Sequence, residues 1–277
     1  VDPTVDLSLA GRNERLRDRL AELGSVVIAY SGGVDSTYLA VQAHDVLGDR
    51  ALAVTAVSPS LARIELDDAL GIAARFGFAH RTVGTHEVGR EEYARNDSDR
   101  CYWCKTELFD ALEPIAADMG AEVCLGTNTD DLGDHRPGLR AAGERGSVAP
   151  LVEAGLSKAD VRALSAEAGL PTADKPASPC LASRFAYGVR VTPAGLRRVE
   201  RAEAYVRSHG FEVLRVRDHG DLARVEVERS EVGRAFELER KLVEGLIELG
   251  YKRVTIDPDG FRSGSLNEVL TAPTFRR

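Results

Sequence analysis

The segment Ser31-Gly32-Gly33-Val34-Asp35-Ser36 follows a short apolar run, 26–30, and opens a helical pattern. No other feature restricts so strongly what this chain can fold into. Two adjacent glycines let the backbone turn sharply and approach a ligand closely, and the hydroxyls of Ser31 and Ser36, with the amides at the helix start, offer donors to phosphate oxygens. Asp35 would repel bare phosphate, so its use is to hold the magnesium that bridges phosphates or to order the loop. The loop contains no lysine, which excludes the GxxxxGK[ST] pattern, and it lacks the GxGxxG spacing of a dinucleotide site. The plain alternative is a strand that ends on Gly-Gly, with Ser36 capping a helix.

Around this loop the first half of the chain alternates short apolar runs with helical patterns, the signature of an α/β fold with a parallel, doubly wound sheet. Strands are expected at 26–30, 51–57, 80–83 and 122–125, with a shorter one near 148–151. Helices are expected at 35–47, from a Ser58-Pro59-Ser60 cap to residue 76, at 105–119, and at 157–168 with Ser157 as N-cap. The proline-bearing stretch 171–184 reads as a loop. Beyond residue 189 the pattern changes to a helix at 193–208, a hairpin of 212–217 and 223–228 around Asp218-His219-Gly220-Asp221, a helix at 230–249 and a strand at 252–257. This predicts a smaller α+β domain, 187–277, after a first domain of 1–186.

A composition of 43% hydrophobic and 29% charged residues supports a sizeable core. The net charge of -8 argues against a chain whose main task is to coat nucleic acid, while 36 Lys and Arg leave room for a local anion site. No stretch approaches the roughly 20 consecutive apolar residues that span a bilayer, and the first residues lack the pattern of a signal peptide, so a cytoplasmic location is expected. Four cysteines are too few for a disulfide scaffold and point to a metal or to catalysis.

Three further clusters carry candidate chemistry. In Ser178-Pro179-Cys180-Leu181-Ala182-Ser183-Arg184-Phe185-Ala186-Tyr187-Gly188 a loop presents one thiol, and Arg184 offers a positive fork that favours a thiolate or holds an anionic substrate; inert packing of Cys180 is the alternative. Cys101-Tyr102-Trp103-Cys104 places two thiols three residues apart, enough to grip one metal or cluster edge but not to make a site. Trp103 either stacks on an aromatic ligand or packs in the core. Arg215 and Arg217 alternate on one strand and therefore share a face, either as an anion clamp or as a solvated surface. The run Gly126-Thr127-Asn128-Thr129-Asp130-Asp131 follows a strand, as a ligand loop or an ordinary polar one.

The first loop resembles the SGGxDS pyrophosphate loop of the PP-loop ATPases, which include GMP synthetase, asparagine synthetase and tRNA thiolation enzymes. That resemblance implies an adenine nucleotide alpha hydrolase-like fold and cleavage of ATP between its α and β phosphates. Ser31, Gly32, Gly33, Asp35 and Ser36 would then bind the pyrophosphate portion. The strand end at Ala56, Val57 and Ser58 would line the adenosine, and Gly126 stands at another strand end, where ligands of doubly wound sheets gather.

Taken with residues 134–140 and 216–224, the Cys180 cluster is similar to the LarE family, and the likeness covers nearly the whole chain. It implies an ATP-dependent sulfur transferase acting on a small nucleotide substrate, pyridinium-3,5-biscarboxylic acid mononucleotide. A ring carboxylate is adenylated and sulfur then displaces AMP to leave a thiocarboxylate. By this resemblance Cys180 bears sulfur, Ser183 and Arg184 belong to the substrate pocket, Arg215 and Arg217 clamp the nucleotide phosphate, and Glu203 falls near an acidic position linked to metal binding. Magnesium accompanies ATP, and the assembly is a homo-oligomer, a hexamer in the family. Three fates of the cysteines remain open: Cys101, Cys104 and Cys180 hold a 4Fe-4S cluster whose fourth iron carries sulfide; Cys180 gives up its own sulfur and becomes dehydroalanine; or the thiols bind zinc or stay free. The competing functions are a tRNA thiolation enzyme, against which stand the acidic charge and the lack of a basic tail, and a nucleotide-binding module without chemistry.

Overall fold

In the computed structural model, which describes residues 8–133 and 137–262, every expected strand except that near 148–151 is present. From the N-terminal side the elements are α1 (Leu9–Leu23), β1 (Val26–Ala29), α2 (Val34–Leu47), β2 (Ala51–Val57), α3 (Arg63–Phe76) and β3 (His80–Gly84). Next come α4 (Glu91–Ala94), α5 (Arg100–Met119), β4 (Glu122–Leu125), α6 (Pro137–Glu144), α7 (Pro150–Glu153) and α8 (Lys158–Glu167). The remainder comprises α9 (Pro193–Ser208), β5 (Leu214–Asp218), β6 (Leu222–Val227), α10 (Val232–Glu237), α11 (Glu239–Glu248) and β7 (Arg253–Ile256). Among the described residues no helix is long and apolar enough to cross a membrane.

Two compact units emerge, one made of Val1–Glu87 with Cys101–Ser178, the other of Val88–Arg100 with Pro179–Arg277. The first is built on a parallel sheet in the order β3-β2-β1-β4, with Val26 opposite both Ala51 and Glu122. Alternate residues of β1 serve opposite faces: Val26 and Ile28 join a core with Leu16, Leu39 and Leu164, while Val27 joins Phe109, Leu112 and Leu125. Helices therefore cover both faces of the sheet, as a doubly wound fold requires. Because the chain leaves β1 toward β2 and β3 and returns to β4 on its other side, strand order reverses between β1 and β4. A crevice opens at such a point, outside the carboxyl ends of the strands.

The second unit carries a mixed sheet in the order β5-β6-β7, antiparallel between β5 and β6 and parallel between β6 and β7. Val206, Phe211, Leu214, Val216, Val225, Leu242 and Leu246 make its core. The segment 88–100 belongs to it because Asn96, in the left-handed region at φ 61°, donates from Nδ2 to the carbonyls of Ala186 and Val189.

Four local expectations are corrected. Helix α3 is capped at Ala62, not by Ser58 and Ser60, whose hydroxyls go to Glu87 instead. Cys101 and Cys104 do not precede the helix but lie in the first turns of α5. Only Val148 of the stretch 148–151 pairs with β4, since Pro150 has no N–H to continue a ladder and opens α7. The long helix expected at 230–249 is broken at Leu238 into α10 and α11, and both Ala235 and Leu242 are buried in one core.

Candidate active site

At the end of β1 the chain enters the Ser31–Ser36 loop through Gly32, at φ 70°, where a Cβ would stand 3.0 Å from the Ala69 side chain. Both conformation and space thus demand glycine. Ser36 closes the loop into a cup: its Oγ accepts from Ser31 N (3.2 Å), lies 3.1 Å from Ser31 Oγ and donates to Gly33 O (3.2 Å). No side chain caps α2, so its first amides are left for a ligand. Gly126, at the end of β4, presses against this cup; a Cβ there would lie 2.8 Å from Ser36 N. The Ser31–Ser36 loop and the end of β4 are in close backbone approach at the switch point.

Asp35, in the first turn of α2, receives two donors. Its Oδ2 accepts from Lys158 Nζ at 2.5 Å and its Oδ1 from Asn128 Nδ2 at 3.2 Å. Asn128 is itself fixed, since its Oδ1 accepts from Asp130 N and its N–H goes to Asp131 Oδ2. Asp130 in turn accepts from Lys158 N, at the start of α8, where Ser157 and Asp160 form a capping box. Sequence reading found no cation for the loop and missed Lys158. The signal available was a helix start, Ser157-Lys158, without any indication of what it faced.

Along the carboxyl edge, Ala56 is half-buried on β2 and Ser58 follows it. Ser58 and Ser60 both donate to Oε1 of Glu87, which is 2% exposed, and so fold the β2–α3 connection down. Thr85 N also donates to Val57 O. The expected adenosine edge is a hydrogen-bonded shelf.

In the second unit, half-buried Cys180 leads into a single 3-10 turn, Leu181–Arg184. Arg184 is 4% exposed and its guanidinium is committed: Nε and Nη2 bind the two oxygens of Glu203 at 2.8 and 3.1 Å, and Nη1 donates to Pro179 O, Cys180 O and Ser183 Oγ. It is the scaffold of the Cys180 loop. Glu203 also accepts from Val216 N at 3.1 Å, which occupies the carboxylate expected near a metal. On β5, Leu214 and Val216 face the core, so Arg215 and Arg217 share the opposite face. Arg217 donates to Glu226 (2.8 Å) and to Ser183 O (3.2 Å), and Arg224 holds the other Glu226 oxygen at 2.8 Å. The Arg215 guanidinium lies 5.1 Å over the Phe261 ring. Burial, and then the positive charge of Arg184, pull it down to about 10, against the pull of Glu203.

Cys101 is exposed and Cys104 half-buried, three residues apart on α5 and hence on one face. They fit as a pair of thiolate ligands to one cluster edge. Trp103 packs edge-on against Tyr102 at 5.2 Å. Cys124 is sealed in the core, and burial pushes its thiol up to about 12, so it remains protonated and supplies no third ligand. Among the described residues no group of three or more His, Cys, Asp or Glu side chains is gathered for a metal. Asp134, His135 and Arg136 of the 134–140 motif lie outside the described residues.

No protein-family model matches the chain. An uncharacterised protein of Synechocystis sp. is 47% identical over 266 residues, covering 95% of this chain and 99% of that protein. The pyridinium-3,5-bisthiocarboxylic acid mononucleotide synthase of Lactiplantibacillus plantarum is 38% identical over 266 residues, 95% of this chain and 96% of its own length. About half of each chain aligns with the tRNA-specific 2-thiouridylase MnmA of Azorhizobium caulinodans, at 34% identity over 192 residues. A parallel sheet with the Ser31–Ser36 cup at its switch point, and a likeness to a synthase that runs nearly end to end, lead to one conclusion: the chain belongs to the LarE family of ATP-dependent sulfur transferases.

Proposed function

We propose that this enzyme adenylates a ring carboxylate of pyridinium-3,5-biscarboxylic acid mononucleotide and replaces the activated oxygen by sulfur. The observation that carries the activation step is the cup of Ser31 to Ser36 with Lys158 and Asp35 at its mouth. Donors from the loop and the start of α2 hold the departing β and γ phosphates, and the Lys158 ammonium, half-exposed and paired with the Asp35 carboxylate, can turn to them. Asp35 suits a magnesium ion, which would be bound by one carboxylate plus phosphate oxygens and would neutralise charge on the leaving group. A substrate carboxylate oxygen attacks the α phosphorus, the bond to the bridging oxygen breaks, and pyrophosphate leaves. The resulting acyl adenylate accepts sulfur at its carbonyl carbon and releases AMP.

For the sulfur step, Cys101, Cys104 and Cys180 are the three thiolates that would hold a 4Fe-4S cluster, which would supply a transferable sulfide. The one-face placement of Cys101 and Cys104 supports this, as does the hydrogen bonding of the Cys180 loop to Arg184. In the same reading residues 1–186 activate and residues 187–277 bind substrate and oligomerise, with Arg215 and Arg217 on the substrate phosphate. Residence in the cytoplasm, a homo-oligomer and a small-molecule substrate in place of RNA accompany it, supported by family membership and acidic charge.

Protein purified without oxygen should contain about four irons per chain, release pyrophosphate when ATP and the mononucleotide are both present, and turn over repeatedly with Cys180 intact by mass spectrometry. Conversion of Cys180 to dehydroalanine in iron-free, active protein would replace the cluster by sacrifice of that cysteine. Absence of mononucleotide-dependent pyrophosphate release would remove the proposed substrate.

A further inference from the structure

His219 stands at the tip of the β5–β6 hairpin, one step past the end of β5. Its N–H donates to Leu222 O at 2.9 Å, so the extended pairing continues through it and the alternation of faces holds. Asp218, the preceding residue, turns to the core side, where it binds Arg198 and Tyr251. His219 therefore falls on the face of Arg215 and Arg217. Its Nε2 is closed off from solvent and has no hydrogen-bond partner among the described residues. A buried polar atom left unpaired is destabilising and asks for a ligand.

We propose that His219 is the third member of the substrate clamp, its Nε2 donating a hydrogen bond to the phosphate of the bound mononucleotide beside Arg215 and Arg217. The inference rests on the reading of this face as the phosphate site. Three further observations support it. Burial, and then the Arg224 guanidinium, hold the imidazole below its ordinary value against Asp218 and Glu226, so the ring is neutral near pH 7 and one nitrogen carries a donor proton. The residue as a whole is half-exposed, and the soft torsion of the histidine ring lets Nε2 swing out to a ligand without moving the backbone. On the same face the Arg215 charge is disfavoured chiefly by burial and then by Arg184, and a phosphate there would favour it. Arginines supply charge and a neutral N–H supplies direction, which separates a phosphate monoester from any anion of similar size.

The test compares wild type, His219→Gln, which keeps an N–H, and His219→Phe, which fills the space without one. Calorimetry with the mononucleotide should show His219→Phe about tenfold weaker, the effect of one charge-assisted hydrogen bond, with His219→Gln recovering most of the loss. ATP affinity and the thermal midpoint should stay unchanged in both. Equal mononucleotide affinity in wild type and folded His219→Phe would overturn the proposal, as would equal loss in the two variants. The imidazole Cε1–H resonance of His219, followed by NMR while inorganic phosphate is titrated, separates this proposal from the proposed function. A saturable shift in protein that ignores the mononucleotide keeps the clamp and removes the substrate, whereas no shift with either ligand removes the clamp.

Discussion

Lys158 Nζ lies 2.5 Å from Asp35 Oδ2 across a sequence separation of 123 residues. The Ser31–Ser36 loop lacks a cation of its own, and the fold delivers one from the start of α8. Both side chains are partly exposed, at 38% and 18%, so the pair contributes on the order of 0 to 1 kcal/mol to stability and opens at little cost. In the proposed function it places an ammonium beside the Ser31–Ser36 loop.

Replacing Lys158 by Ala should accordingly lower pyrophosphate release by roughly 100-fold, the scale of one lost transition-state charge contact, while shifting stability by less than about 1 kcal/mol. Asp35→Asn should abolish release with the fold intact and should not be rescued by excess magnesium. A pyrophosphate assay beside thermal unfolding checks both; wild-type rates in Lys158→Ala would remove the lysine from the phosphate site.

Arg215 and Arg217 share a face yet should respond differently to substitution. Arg215→Ala should weaken the mononucleotide by about one to two factors of ten while leaving ATP binding alone, as expected for loss of a charge-assisted contact. Arg217 also neutralises Glu226, which is fully buried. Arg217→Ala should therefore add a loss of about 3 kcal/mol in unfolding free energy, because it strips a buried carboxylate of one partner. Calorimetry and denaturant unfolding on both variants test the split; equal stability losses would contradict it.

Cys124 makes a pH prediction. Its thiol titrates near 9 when unfolded and is pushed up to about 12 by burial in β4. Below pH 9 both states hold the proton and the contribution is fully present. As pH rises from 9 toward 12 only the unfolded chain ionises, and stability falls by about 1.4 kcal/mol per pH unit. Unfolding curves between pH 8 and pH 11 should show a shallower alkaline decline for Cys124→Ala than for wild type, whatever its offset at neutral pH. Parallel declines would place the thiol in water-accessible surroundings.

Local chemistry was the part of this molecule that its sequence displayed. The strand, Gly-Gly turn and helix around Ser31 to Ser36 form from neighbouring residues alone, and the capping box at Ser157 announces α8. Pairing across the sheet was not displayed, because the order β3-β2-β1-β4 is decided by burial of whole faces. Ser58 and Ser60 looked like helix caps, yet Glu87, some 29 residues beyond Ser58, competes for their hydroxyls. Arg184 reads as an open anion fork, and nothing local to it announces that Glu203, on α9, occupies it. Lys158 and the buried nitrogen of His219 were hidden for the same reason: each acquires meaning only from residues that tertiary structure brings near.

Gly126 is not in the left-handed region, so nothing in its own backbone forbids a side chain. What forbids one is Ser36 N, 2.8 Å from where a Cβ would sit. In a library randomising this position, every replacement should score as though a ligand contact had been lost, although the residue donates no side chain to anything. No second change at 126 can compensate, since the space belongs to the backbone of α2. The end of β4 therefore acts as a gauge block for the Ser31–Ser36 loop: with main chain on both sides of the contact, moving one displaces the other.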